Sequence, residues 1–172
     1  YLGLELMTLC SYILVGITVE KPKSNEAAIK YFLLAAFASA LFLYGISLTY
    51  GLAGSTGFAT VASALSAHDP GRSPLVVVAI LLVLGGLAFK IGAVPFHSWA
   101  PDAYQGASAP VAAFLAAGSK AAGLAALGRV TFVAYGSAAE VLSVLLAGLD
   151  LVESGEIAVV AFVQPPMAMN WD

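Results

Sequence analysis

The sequence predicts an all-α fold, a polytopic transmembrane helix bundle, on three observations. Hydrophobic residues make up 60% of the 172 and charged residues 10%, against about 45–50% and 25% in soluble domains. The mean hydropathy is +0.94. The apolar residues are gathered into runs separated by stretches of Gly, Pro and charge, and the longest runs can cross a hydrocarbon core of ~30 Å. The formal net charge of −3 and the absence of a basic run argue against a nucleic-acid partner. A single cysteine, Cys10, excludes an internal disulfide and a multi-cysteine metal or iron–sulfur site, and reads as a small side chain buried in an apolar helix.

A first span runs from Tyr1 to about Val19 and stops at Glu20-Lys21-Pro22-Lys23-Ser24-Asn25. Tyr1 stands mid-segment with no basic stretch before it, so the chain reads as a fragment of a larger membrane protein. Ser24 or Asn25 is placed to cap the second helix, with Glu26 in its first turn. That helix, from about Ala27 to Leu52, is long enough to span with some tilt.

Residues 51–73 hold Gly51, Gly54, Gly57 and the breaker Asp69-Pro70-Gly71. They form a loop with a short helix over Phe58 to Leu65. A third span begins near Pro74 and continues to Val94, where Pro95 interrupts it and makes the helix discontinuous over Lys90–Pro95. Phe96 to Ser108, with Trp99 and Tyr104, has an interfacial character. Pro110 opens a fourth span to about Ala134, an acceptable place for proline.

A fifth, short helix fits 138–152, but Glu140 and Asp150 weaken it. The division is therefore a membrane-embedded module over residues 1–135, N-terminally incomplete, and a short helix with an unplaced tail over 136–172. Lys21 and Lys23 favour the cytoplasmic side for the first connection.

The charges inside the spans carry the functional reading. A lysine at mid-helix costs roughly 2.5–3.5 kcal/mol on insertion scales, and repeating that cost on successive helices points to a path for protons or ions. Lys120 lies roughly 16 Å from the Pro110 end of its span at the rise of an α-helix. Its small neighbours, Ala116 to Ser119 and Ala121 to Gly123, leave room for close helices or water. Binding to a partner's carbonyls is the alternative. Lys90 stands beside the proline break, where irregular backbone is tolerated only against protein or water; snorkelling from a helix end is its alternative.

Lys30 follows Glu26 by four residues, an ordinary surface pair, and stays open between relay and structural roles. Glu5, flanked by Leu2, Leu4, Leu6 and Leu9, has no cation within a turn, so its partner must come from another helix, with a lysine the obvious candidate. His97 is either a satisfied interfacial histidine or a relay group. His68 reads as solvated, and Asp102 and Arg129 as anchors near helix ends. No nucleotide loop, metal-ligand spacing or nucleophile–base pair is present.

Particular stretches carry a resemblance. They are Tyr-Leu-Gly-Leu-Glu-Leu-Met at 1–7, Asn-Glu-Ala-Ala-Ile-Lys-Tyr-Phe at 25–32 and Leu-Tyr-Gly-Ile-Ser-Leu at 43–48. The most specific are Phe-Lys-Ile-Gly-Ala-Val-Pro-Phe-His-Ser-Trp-Ala-Pro-Asp-Ala-Tyr-Gln-Gly-Ala at 89–107 and Gly-Ser-Lys-Ala-Ala-Gly at 118–123. Over about residues 1–133 the chain resembles the antiporter-like membrane subunits of respiratory complex I, of the NADH-quinone oxidoreductase subunit N (subunit 2) type. After about Tyr135 the motifs fade.

The resemblance implies a proton-translocating subunit of a bacterial inner-membrane NADH:quinone oxidoreductase, an organellar membrane being less favoured. Its partners would be the lipid bilayer and the other membrane subunits. It also implies that Glu5 is a gating carboxylate paired with Lys30, that Lys90 accepts the proton, and that Lys120 passes it on, with His97 a lesser relay candidate. No cofactor is expected in this chain; NADH, flavin, iron–sulfur clusters and quinone would belong to partner subunits. Two rival readings stand beside it: a subunit of a multisubunit cation/proton antiporter, and a non-transporting scaffold segment.

Overall fold

The computed structural model describes residues 1–68, 73–93 and 96–136. Six helices follow one another: α1 (Leu2–Val15), α2 (Pro22–Ala53), α3 (Phe58–Ala67), α4 (Pro74–Ile91), α5 (Trp99–Gly106) and α6 (Ala109–Ala134). Of these, α2, α4 and α6 are long and apolar enough to cross a membrane. The sequence predicts four such spans. The first falls short because α1 ends at Val15 rather than Val19, and its 14 residues reach only about 21 Å at the helical rise. The predicted helix over 138–152 and the tail lie outside the described residues.

The turn from α1 into α2 differs from its prediction in an informative way. Pro22, with its fixed φ and missing N–H, stands at the start of α2. Ser24 therefore lies inside the helix and does not cap it. Its hydroxyl instead donates to the Val15 carbonyl at 2.7 Å, one of the acceptors left over where α1 ends. Asn25 likewise reaches back, donating from Nδ2 to the Val19 carbonyl at 2.8 Å.

The break after Lys90 is made by Gly92, three residues before the predicted Pro95, which lies outside the described residues. Gly92 has φ 73°, a left-handed conformation that only glycine adopts without penalty. Its N–H donates to the Phe89 carbonyl (3.1 Å) and the Ala93 N–H to the Ala88 carbonyl (2.9 Å), which closes α4 with a Schellman motif. The Trp99 indole then crosses the gap and donates from Nε1 to the same Phe89 carbonyl at 3.0 Å.

The helix α2 forms the spine, packing against α1, α3, α4 and α5, while α6 packs against α4. Glycine brings α2 and α4 together: a Cβ on Gly45 would stand 2.8 Å from the Val83 backbone nitrogen, and one on Gly86 would collide with Phe42. Two apolar cores result. One gathers Tyr12, Val15, Tyr31, Ala35, Phe89 and Trp99; the other gathers Phe42, Leu65, Val76, Ile80 and Leu87.

Trp99, predicted as interfacial, is buried and stacks on Tyr31 with centroids 4.7 Å apart. Cys10, predicted as buried, is exposed. Large apolar side chains such as Leu6, Ile13, Phe37 and Phe132 also point outward, which suits helices whose surroundings are themselves apolar.

Candidate functional site

The site begins where the two cores meet along α2. Ala38 belongs to the first core and Phe42 to the second, and Ser39 lies between them in sequence. Toward this seam α1 presents Glu5 and Thr8, and α4 presents Lys90 from its last turn. The Lys90 side chain is only 4% exposed and that of Glu5 17%. Its ammonium lies 2.9 Å from Glu5 Oε1, outside the alignment of a hydrogen bond, so this contact is an ion pair. It donates to Thr8 Oγ1 at 2.8 Å and, more weakly, to Ser39 Oγ at 3.5 Å.

The hydroxyls complete the ring. Ser39 donates to Glu5 Oε2 at 2.7 Å, and Thr8 donates to the Leu4 carbonyl at 2.7 Å. Two hydrogen bonds and one ion pair thus surround the ammonium, which makes a buried charge tolerable.

Lys120 occupies a different setting. A π-helical turn, Leu115–Ser119, immediately precedes it in α6. Such a turn adds one residue to the coil and swings the residues beyond it around the axis, and it recurs at functional sites. Gly123, one turn on, lets α6 close on the end of α4, where a Cβ would stand 2.8 Å from Ile91 Cγ2 and 3.7 Å from Lys90 Cβ. The Lys120 ammonium lies 5.7 Å from the centroid of the Tyr104 ring. It is also at the Gly92 turn, 3.8 Å from the position a Cβ there would take. Burial pushes the Tyr104 phenol above its ordinary pKa.

Lys30 forms the surface pair with Glu26 that its spacing predicts, and not the pair with Glu5 that the resemblance implies. Its ammonium pairs with Glu26 at 2.7 Å and Asp102 at 3.2 Å, with roughly half of each side chain exposed. Glu5 pairs with Lys90 instead. The reason is axial distance: Ser39, the α2 residue that meets Glu5, lies roughly 13 Å along the helix from Lys30. Lys30, Glu26 and Asp102 line an open groove of about 210 Å³ with Lys23, Gln105 and Gly106.

His97 lies between α4 and α5, part-buried, with Nδ1 enclosed and meeting no partner among the described residues. His68 is exposed just past the end of α3, and Arg129 lies over the Phe58 ring. Among the described residues no group of three or more His, Cys, Asp or Glu is placed to hold a metal ion.

A sequence model described as "NADH:quinone oxidoreductase/Mrp antiporter, TM" matches residues 1–162 of this chain. The chain belongs to this family. The match continues well past residue 133, where the recognisable motifs fade. NADH-quinone oxidoreductase subunit N of Desulfovibrio desulfuricans is 48% identical over 167 residues, covering 94% of this chain and 33% of the relative.

NAD(P)H-quinone oxidoreductase subunit 2 of Rippkaea orientalis is 43% identical over 168 residues, covering 97% of this chain and 32% of the relative. The chain thus spans about a third of the length of these curated relatives. A chain in the structure of respiratory complex I from Thermus thermophilus with bound aureothin is 44% identical with a TM-score of 0.63. That match covers 74% of this chain and 27% of the other.

Within this oxidoreductase/antiporter family member, sequence reasoning found every charge of the site but not the groups that tie the charges together. Ser39 and Thr8 look like any hydroxyls on apolar helices. Tyr104 was visible only as an aromatic. The π turn has no sequence signal beyond the small residues Ala116, Ala117 and Gly118.

Proposed function

We propose that this chain is the proton-translocating part of an antiporter-like membrane subunit of a bacterial NADH:quinone oxidoreductase. It would work in the inner membrane against the other membrane subunits and hold no redox centre itself. Glu5, Lys90 and Lys120 form the relay, with His97 as a lesser station and Lys30 in a half-exposed pair outside it. The observation that carries this reading is the Glu5–Lys90 pair, buried at a helix break and backed by two hydroxyls.

In the closed arrangement the Lys90 ammonium is enclosed by Glu5, Thr8 and Ser39, so a proton there is held. Release requires the pair to open. Drawing Glu5 away removes the nearest negative charge, which favours loss of the Lys90 proton. Lys120, across the α4–α6 contact at Gly123, is the next base along the membrane interior. Redox events in partner subunits would supply the electrostatic pull, and a hydrated path would join the two lysines.

Lys90→Ala and Lys120→Ala, introduced separately into the assembled complex in proteoliposomes, test this. Each abolishes proton uptake per electron transferred while NADH and quinone sites elsewhere stay intact. Undiminished pumping in both variants overturns the reading and leaves these lysines a scaffolding role.

The family description also names Mrp antiporters, so a multisubunit cation/proton antiporter is the second reading. Sodium-dependent proton exchange without quinone reduction, in the complex purified through this subunit, would favour it.

A further inference from the structure

The described residues hold four carboxylates, Glu5, Glu20, Glu26 and Asp102. Glu5 is engaged by Lys90, Glu26 and Asp102 are engaged by Lys30, and Glu20 lies in the connection between α1 and α2. Among the described residues, Lys120 therefore has no acidic partner. What it faces is the ring of Tyr104, with the ammonium 5.7 Å from the centroid, inside the range at which an aromatic face attracts a cation.

The ring is fixed from behind. Trp99 meets it edge-on at 6.3 Å, and Trp99 is itself held by the Phe89 carbonyl and by stacking on Tyr31. The Tyr104 hydroxyl is buried yet meets no protein partner among the described residues. Ring packing, not a hydrogen bond from the hydroxyl, holds this side chain.

We propose that Tyr104 is a positioning residue for Lys120, its ring face standing where a carboxylate would otherwise stand. This rests on the reading of Lys120 as a relay group. A carboxylate would bind the ammonium tightly and slow the departure of its proton. An aromatic face attracts the charge weakly and carries no proton-accepting group toward it, so the lysine can be held while charged and released when neutral. Trp99 joins this seat to the end of α4, one residue before Lys90.

The test is a graded series in the whole complex: Tyr104→Phe, Tyr104→Leu, and phenylalanines carrying one, two or three ring fluorines introduced at 104. Fluorine withdraws electron density from the ring face with little change of shape. Tyr104→Phe keeps proton translocation within about twofold of wild type, whereas the trifluoro ring lowers it about fivefold. The decline is stepwise with fluorine number, at constant abundance of assembled complex.

A flat series in the wild-type background overturns the proposal, as does a loss in Tyr104→Phe equal to that in Tyr104→Leu, which would assign the role to the hydroxyl. If Lys120→Ala alone pumps normally, the parent reading fails. If Lys120→Ala fails to pump but fluorination has no effect, only the role of the ring is lost.

Discussion

Ser39→Ala removes the hydroxyl that links the carboxylate of α1 to the spine of the bundle. Ser39 donates to Glu5 Oε2 at 2.7 Å and receives the Lys90 ammonium at 3.5 Å, and only 8% of it is exposed. A hydrogen bond to a charged group contributes about 1.5–3 kcal/mol. At 1.4 kcal/mol per factor of ten, its loss shifts the balance between the closed and open Glu5–Lys90 pair roughly 10- to 150-fold toward open.

The Lys90–Thr8 and Lys90–Glu5 contacts survive, so the helices still assemble. The assays are proton translocation per electron by the assembled complex in proteoliposomes and, for a double-mutant cycle, the melting of that complex. Ser39→Ala lowers coupling severalfold; it destabilises the complex in the wild-type background and adds nothing in Glu5→Ala/Lys90→Met. Equal losses in both backgrounds would refute the link, because Ser39 would then act independently of the carboxylate.

Four further outcomes are expected. Glu5→Ala leaves the Lys90 ammonium buried without its countercharge and costs about 3–5 kcal/mol, read as lower abundance of assembled complex; adding Lys90→Met restores abundance but not pumping. Gly45→Ala forces a Cβ to 2.8 Å from the Val83 nitrogen, and the displacement of α2 from α4 costs about 1–3 kcal/mol; a thermal melt of the complex checks this against Gly3→Ala, where nothing lies nearby. Inserting an alanine between Ser119 and Lys120 rotates Lys120 by about 100° against the preceding turn; pumping is lost although the protein still inserts, as membrane abundance would confirm. Lys30→Ala, at a half-exposed pair, reduces pumping by less than a tenth of the loss in Lys90→Ala under the same assay.

The legible parts of the site were those whose cost is written in the residue type. A lysine or glutamate in an apolar run is conspicuous, so Glu5, Lys90 and Lys120 stand out without any structure, as does the need of Glu5 for a partner on another helix. Pairing is less visible. Glu5 meets Lys90 rather than Lys30 because of where α1 crosses α2, a property of packing that no local pattern encodes.

The hydroxyls escaped because Ser and Thr in membrane helices usually bond back to their own helix. Thr8 does so to Leu4 while also receiving Lys90. The break in α4 was foreseen from Pro95, yet Gly92 makes it. Both residues end helices, and only the φ of 73° at Gly92 tells which acts first. Trp99 was placed at an interface by its residue type, whereas the open end of α4 offers its indole a carbonyl within the core.

The Schellman turn at Gly92 has an electrical consequence. Peptide dipoles along α4 add up to roughly half an elementary negative charge at its carbonyl end, and the Lys120 ammonium sits beside that end. Unlike a carboxylate, this fractional charge cannot be neutralised by protonation. In the proposed relay the second lysine would therefore feel the same background attraction whether the Glu5–Lys90 pair is closed or open, and the direction of each transfer would be left to the side chains whose charge can change.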